Sequence, residues 1–194
     1  MVRYIISLLI ILNFHYLSSQ NENKKWEFFT GCGMDFMQNP TLLTIAGYTF
    51  GTASNSGMTS SMSDANGNLL FYSDGKTVIN QNFSVMANGT GLLGDASGFG
   101  FTVLILKKPG SASLYYIITQ NSFASGLTNG GRLRYSIVDM SLAAAMGSVT
   151  TKNVLIWDPS IYPYYTGSNL TATKHCNGND FWIVIHEHGS AVFR

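Results

Sequence analysis

His186-Glu187-His188 is the constellation in this chain best suited to chemistry. On a strand, side chains two apart share a face, so His186 and His188 can turn toward one metal ion, with His175 one strand earlier as a third ligand. Glu187 falls on the opposite face, and the two-histidine spacing of a metal-binding helix is absent. Strand-end imidazoles in water account for the trio. Asp64, Asn66 and Asn68 alternate like the opening of a calcium loop, but Gly67 comes too early and Gly75 stands where the closing glutamate belongs. A hairpin turn explains them better. Asp35, Asp139, Asp158 and Glu187 are scattered carboxylates of the kind that cap turns. No nucleophile elbow or phosphate loop occurs. The sequence therefore assigns no catalytic, cofactor-binding or metal-ligating residue, and no cofactor.

Composition narrows the class. The 194 residues carry 11 Lys+Arg against 10 Asp+Glu, a net charge of +1. With no run of basic residues, nucleic acid is not an expected partner. A hydrophobic content of 45% is too high for a disordered chain. Arg3, the apolar run Tyr4 to Leu12 and the small residues Ser18-Ser19 before Gln20 have the layout of a secretory signal peptide, residues 1–19. That run is about half of the ~20 residues a membrane-spanning helix needs. Residues 20–194 are then expected as an exported chain with no membrane span. Two cysteines, Cys32 and Cys176, are too few for a disulfide scaffold, and their pairing is left open.

The elements that would position any site are strands. Asn66-Gly67 suits a tight hairpin and leads into Leu69-Leu70-Phe71-Tyr72; Asp74-Gly75 makes the next turn. Phe101 to Leu106, a Lys107-Lys108-Pro109-Gly110 turn and Leu114-Tyr115-Tyr116-Ile117-Ile118 repeat the plan. So do the Asn177-Gly178-Asn179-Asp180 turn and Phe181-Trp182-Ile183-Val184-Ile185. The aromatic pairs Phe71-Tyr72 and Tyr115-Tyr116 return after 44 residues, within the ~40–45-residue period of propeller blades. Phe181-Trp182 comes later than that period, so a long loop is expected at Asp158 to Gly167. Leu69 to Tyr72, Leu114 to Ile118 and Phe181 to Ile185 are apolar on both faces, which predicts burial on both sides between stacked sheets. A two-layer sandwich is the competing architecture. Arg132 to Val138 alternates, with both arginines on one side, as expected for a strand near an outer edge. Ser141 to Gly147 is expected to form one or two helical turns, with Ser141 as N-cap and Gly147 as stop. The fold class is thus all-β, a partial WD40/YVTN-like β-propeller of about three to four blades. Ala191 to Arg194 reads as the start of a strand, so the chain is expected to be the front of a longer protein.

Four segments carry a resemblance. They are Asp64 to Gly75, Val85 to Gly94, Leu133 to Leu142 and Lys174 to Trp182. In that order they resemble the N-terminal propeller-like region of large secreted proteins of gliding Bacteroidota. Such proteins carry PKD-type modules and a gliding-motility-associated (type IX secretion) sorting domain, both absent from these residues. The resemblance implies export, a propeller and life at the cell surface; it brings no site residues with it. Ser73-Asp74-Gly75-Lys76-Thr77 is similar to the Asp-box turn of sialidase-like propellers, but it lacks one residue between Ser and Asp, and Val78 stands where an aromatic belongs. The Asn-x-Ser/Thr triplets at Asn82, Asn88 and Asn169 read as coincidence in an Asn-rich chain.

The expected function is a non-catalytic surface binding module of an adhesin-like protein. Its partners would be polysaccharide, a surface protein or downstream domains of the same chain. A secreted hydrolase acting on glycans or peptides is the alternative. Tyr162, Tyr164 and Tyr165 around Pro163 are the candidate recognition surface, since tyrosine gives large contact area at low entropy cost.

Overall fold

The computed structural model describes residues 25–28, 32–37, 41–44, 59–95, 102–121, 131–162 and 164–194. The signal segment at residues 1–19 lies outside them. The described residues form twelve strands in four small antiparallel sheets, each made of strands consecutive in the chain. The first sheet holds β1 (Lys25–Phe28), β2 (Cys32–Asp35) and β3 (Thr41–Thr44). The second holds β4 (Ser60–Ser63), β5 (Leu69–Ser73) and β6 (Val78–Asn80). The third is a meander of β7 (Val103–Lys107), β8 (Leu114–Gln120), β9 (Leu133–Asp139) and β10 (Ser148–Trp157). The fourth pairs β11 (Thr166–Lys174) with β12 (Phe181–Glu187). Arg194 extends the fourth sheet, exchanging backbone hydrogen bonds with Ile185 at 3.0 Å each way.

Side-chain alternation turns these meanders into stacked layers. On β8, Tyr115 and Ile117 enter a core with Phe71, Val78 and Met86 of the second sheet and its following loop. Tyr116 and Ile118, on the other face, pack with Leu170, Ile183 and Ile185 of the fourth sheet. β7 splits the same way, Val103 and Ile105 to one side, Leu104 and Leu106 to the other. The far face of the second sheet carries a further cluster of Leu69, Tyr72, Ile79 and Phe83. The expected two-sided burial therefore holds for β5 and β8. It does not hold for β12, where Trp182 is 59% exposed. Three sheets with two separate cores between them are already more layers than a sandwich has.

The sheets meet along their first strands. β1 lies against β4, β4 against β7, and β7 against β11. Side chains fasten these seams: the Ser61 hydroxyl donates to the Lys25 carbonyl at 2.7 Å, and the Ile105 N–H donates to the Ser60 hydroxyl at 3.1 Å. Across the next seam Gln120 Nε2 donates to the Gly167 carbonyl.

Two expectations are corrected. β9 lies between β8 and β10, and Arg134 is buried with its Nη1 donating to Asn121 Oδ1 at 2.6 Å. Of the polar stripe, Arg134 and Ser136 are buried and Arg132 is half-buried. The Ser141–Gly147 segment is not a capped right-handed helix. It holds a 3₁₀ turn, Ala143–Ala145, whose residues have φ of 50°, 53° and 66°, with Leu142 at its start. Alanine is a good helix former, but this segment is a short link between paired strands, and their register outweighs propensity. Left-handed backbone costs a non-glycine residue about 1–2 kcal/mol. Ala144→Gly is accordingly expected to stabilise the fold by about 1 kcal/mol, raising Tm by about 2–4 °C in calorimetry. An unchanged or lower Tm would contradict the left-handed turn.

Candidate functional site

Among the described residues, the hairpin turns between the first two strands of the second, third and fourth sheets build one rim. In the 64–68 turn, Asp64 Oδ1 accepts the N–H groups of Asn66 and Asn68, each at 2.8 Å, and Oδ2 accepts Asn68 Nδ2 at 3.0 Å. Burial raises the Asp64 pKa, but these bonds outweigh it and hold the carboxyl below its ordinary value. The 175–180 turn repeats the scheme, with Asn177 Oδ1 accepting the N–H groups of Asn179 and Asp180 at 3.0 Å. Between them the Lys108 N–H closes the 108–113 turn on the Leu114 carbonyl at 2.9 Å. Gly67, Gly110 and Gly178 each adopt the positive φ that these turns require.

A cleft of about 350 Å³ opens between these turns. Met62 comes from the end of β4, Leu106 and Lys107 from the end of β7, and Lys174 from the end of β11. Lys108, Ser111 and Asn179 of the turns complete it, and Phe181 adds an aromatic wall. Three lysines thus meet in one concavity. Among the described residues the ion pairs are Lys25–Asp35, Arg132–Asp158 and Arg194–Glu187, and none involves these lysines. Lys108 Nζ lies 5.9 Å from the Tyr116 ring centre. The sequence shows no basic run; the cluster exists only because two first strands end side by side. The signal lay in the repeat, since Lys107 and Lys174 each precede the turn at the end of a first strand.

The histidines do not converge. His186 packs on Phe193, ring centres 5.0 Å apart, and His175 on Trp182 at 5.3 Å. Glu187 accepts from Arg194 at 3.1 Å. No group of three His, Cys, Asp or Glu able to hold a metal ion occurs among the described residues. Cys176 is an exposed free thiol; Cys32 lies in β2, its side chain outside the described set. The remaining carboxylates serve turns: Asp35 accepts the Met37 N–H at 2.8 Å, and Asp139 accepts the Ser141 N–H at 2.9 Å. Asp158 accepts from Ser160 and from Arg132 Nε, bonds that lower its pKa.

The tyrosine loop lies at the other end of the sheets. Tyr162 stacks on Trp157 with centres 4.2 Å apart and planes at 19°. Tyr164 lies under the Arg194 guanidinium at 4.5 Å. Tyr162 and Tyr165 are exposed, at 42% and 46%. Tyr162 therefore covers an edge strand of the third sheet, and Tyr164 is held inward. Pro163 lies outside the described residues.

The Asp74 turn is a structural device. Its Oδ1 accepts the N–H groups of Lys76 and Thr77 at 2.8 and 2.7 Å, and burial pushes its pKa above the ordinary 3.8. A carboxyl with a raised folded-state pKa favours the fold while protonated. Its contribution is therefore lost as pH rises from 3.8 through the folded value. Asp74→Asn keeps the accepting oxygen and removes the charge. Its urea midpoint is expected to match wild type near about pH 3 and to exceed it near about pH 7. A lower midpoint at neutral pH would show that the ionised carboxylate is needed.

Comparison with family models, with curated proteins and with solved structures found no match. Among the described residues no helix is long and apolar enough to cross a membrane.

Proposed function

We propose that the chain is part of a β-propeller, WD40/YVTN-like, that serves as an exported, non-catalytic binding module at the cell surface or outside it. The observation that carries this reading is the succession β1, β4, β7, β11, in which each sheet sets its first strand beside the first strand of the next. Blades arranged about an axis place their innermost strands in that relation. Two-sided burial of β5 and β8 supports it, as does the return of one hairpin turn in successive sheets. Export rests on the signal-like residues 1–19. The resemblance to surface proteins of gliding Bacteroidota agrees with both. The partner classes are polysaccharide and surface protein.

Two measurements test the reading. Expressed in a bacterium from Met1, the chain is expected outside the cytoplasm with Gln20 at its N-terminus. On a glycan array the exported protein is expected to retain saccharides without turning them over. Uncleaved protein in the cytoplasm would remove the export claim. Hydrolysis abolished by a single Asp or Glu substitution would make the module an enzyme.

A further inference from the structure

We propose that the cleft between the hairpin turns takes a carboxylate-bearing saccharide, its acid groups held by Lys107, Lys108 and Lys174; this rests on the binding-module reading. Three cations in one concavity repel each other, and an anion removes that cost. Among the described residues no carboxylate forms an ion pair with these lysines. Asp64 is spent on its own turn, Asp180 accepts from Asn177 Nδ2 at 2.6 Å, and Asp139 accepts from the Ser141 hydroxyl at 2.7 Å.

The chemistry selects among anions. Bidentate recognition of phosphate draws on forked arginines or on arrays of free backbone N–H groups. No arginine lines this cleft, and the Ser111 and Gly178 N–H groups close their turns on Lys108 and His175. Lysines are separate point charges, suited to carboxylates spaced along a chain. Ser111 Oγ accepts the Leu114 N–H at 3.0 Å and keeps its own proton to donate, and the Asn179 amide stands at the rim to meet hydroxyls. Phe181 gives an apolar wall for the C–H face of a sugar ring. An extended acidic peptide would want a free strand edge to pair with. The walls here are turns and the ends of β4, β7 and β11, which offer a strand edge of only one or two residues each, and about 350 Å³ suits a compact ligand.

The test is calorimetric titration of the exported protein with tri-galacturonate, alongside maltotriose, tri-glutamate and inorganic phosphate. Tri-galacturonate is expected to bind, more weakly as salt rises. The triple variant Lys107→Gln/Lys108→Gln/Lys174→Gln is expected to lose at least about thirtyfold in affinity, and the corresponding triple Lys→Arg variant to lose far less. Urea melts of both variants establish that they fold; if the Gln triple does not, the three single Lys→Gln variants replace it, each expected to weaken binding. The proposal is overturned if tri-galacturonate does not bind, if the Gln substitutions leave its affinity unchanged, or if tri-glutamate or phosphate binds as tightly. Should the array show neutral glycans retained equally by wild type and the Gln triple, the binding module stands and the cleft assignment falls. If nothing on the array is retained and tri-galacturonate does not bind, the cleft assignment falls and the module keeps only surface protein as its partner class.

Discussion

Phe71→Ala is expected to destabilise the chain by about 3–5 kcal/mol, a large share of the ~5–15 kcal/mol that holds a domain together. Phe71 has no exposed surface and sits between the second and third sheets, its ring edge-on to Tyr115 with centres 5.6 Å apart. Removing it opens a void that cannot collapse, because both flanking sheets are fixed by their own ladders. Urea unfolding followed by tryptophan fluorescence should show the midpoint fall by about 1–3 M. A loss below about 1 kcal/mol would mean that the ring is not the wedge between these layers.

Gly94→Ala is expected to cost about 1–3 kcal/mol although it adds one methyl group. A Cβ at Gly94 would stand 2.5 Å from the Gly75 carbonyl oxygen and 2.9 Å from the Gly75 Cα, so backbone must move. This approach pins the segment leaving the second sheet onto the Asp74 turn, through the Gly94 N–H on the Gly75 carbonyl at 2.9 Å. Gly91→Ala is the control. Nothing lies within 4 Å of its Cβ position and only its positive φ is penalised, so about 1 kcal/mol or slightly more is expected. Equal midpoints for the two variants would remove the close approach from the account.

Much of the layering was legible because it rests on local chemistry. Asn66-Gly67 and Asn177-Gly178 have few backbone options, and the turns they make fix where the flanking strands pair. Leu69 to Tyr72 and Leu114 to Ile118 have no polar side, which favours a strand covered on both faces. What stayed hidden depends on neighbours distant in sequence. Alternation along β9 signals a wet face, yet the wet side is filled and Arg134 finds Asn121. The apolar run of β12 signals two covered faces, yet Trp182 is exposed. The tyrosines were visible as a cluster, but the stacking of Tyr162 on Trp157 depends on where β10 ends. The lysine cleft left only one trace, a lysine before each of two turns, because Lys107 and Lys174 meet only when β7 and β11 lie side by side.

Face-to-face packing of successive sheets is tested most directly by a double-mutant cycle on Phe71→Leu and Tyr115→Leu, one residue from each side of the shared core. The two rings in contact predict a coupling energy of about 0.5–1.5 kcal/mol in urea unfolding. Effects that simply add, within about 0.3 kcal/mol, would place the two side chains apart and contradict the stacked arrangement.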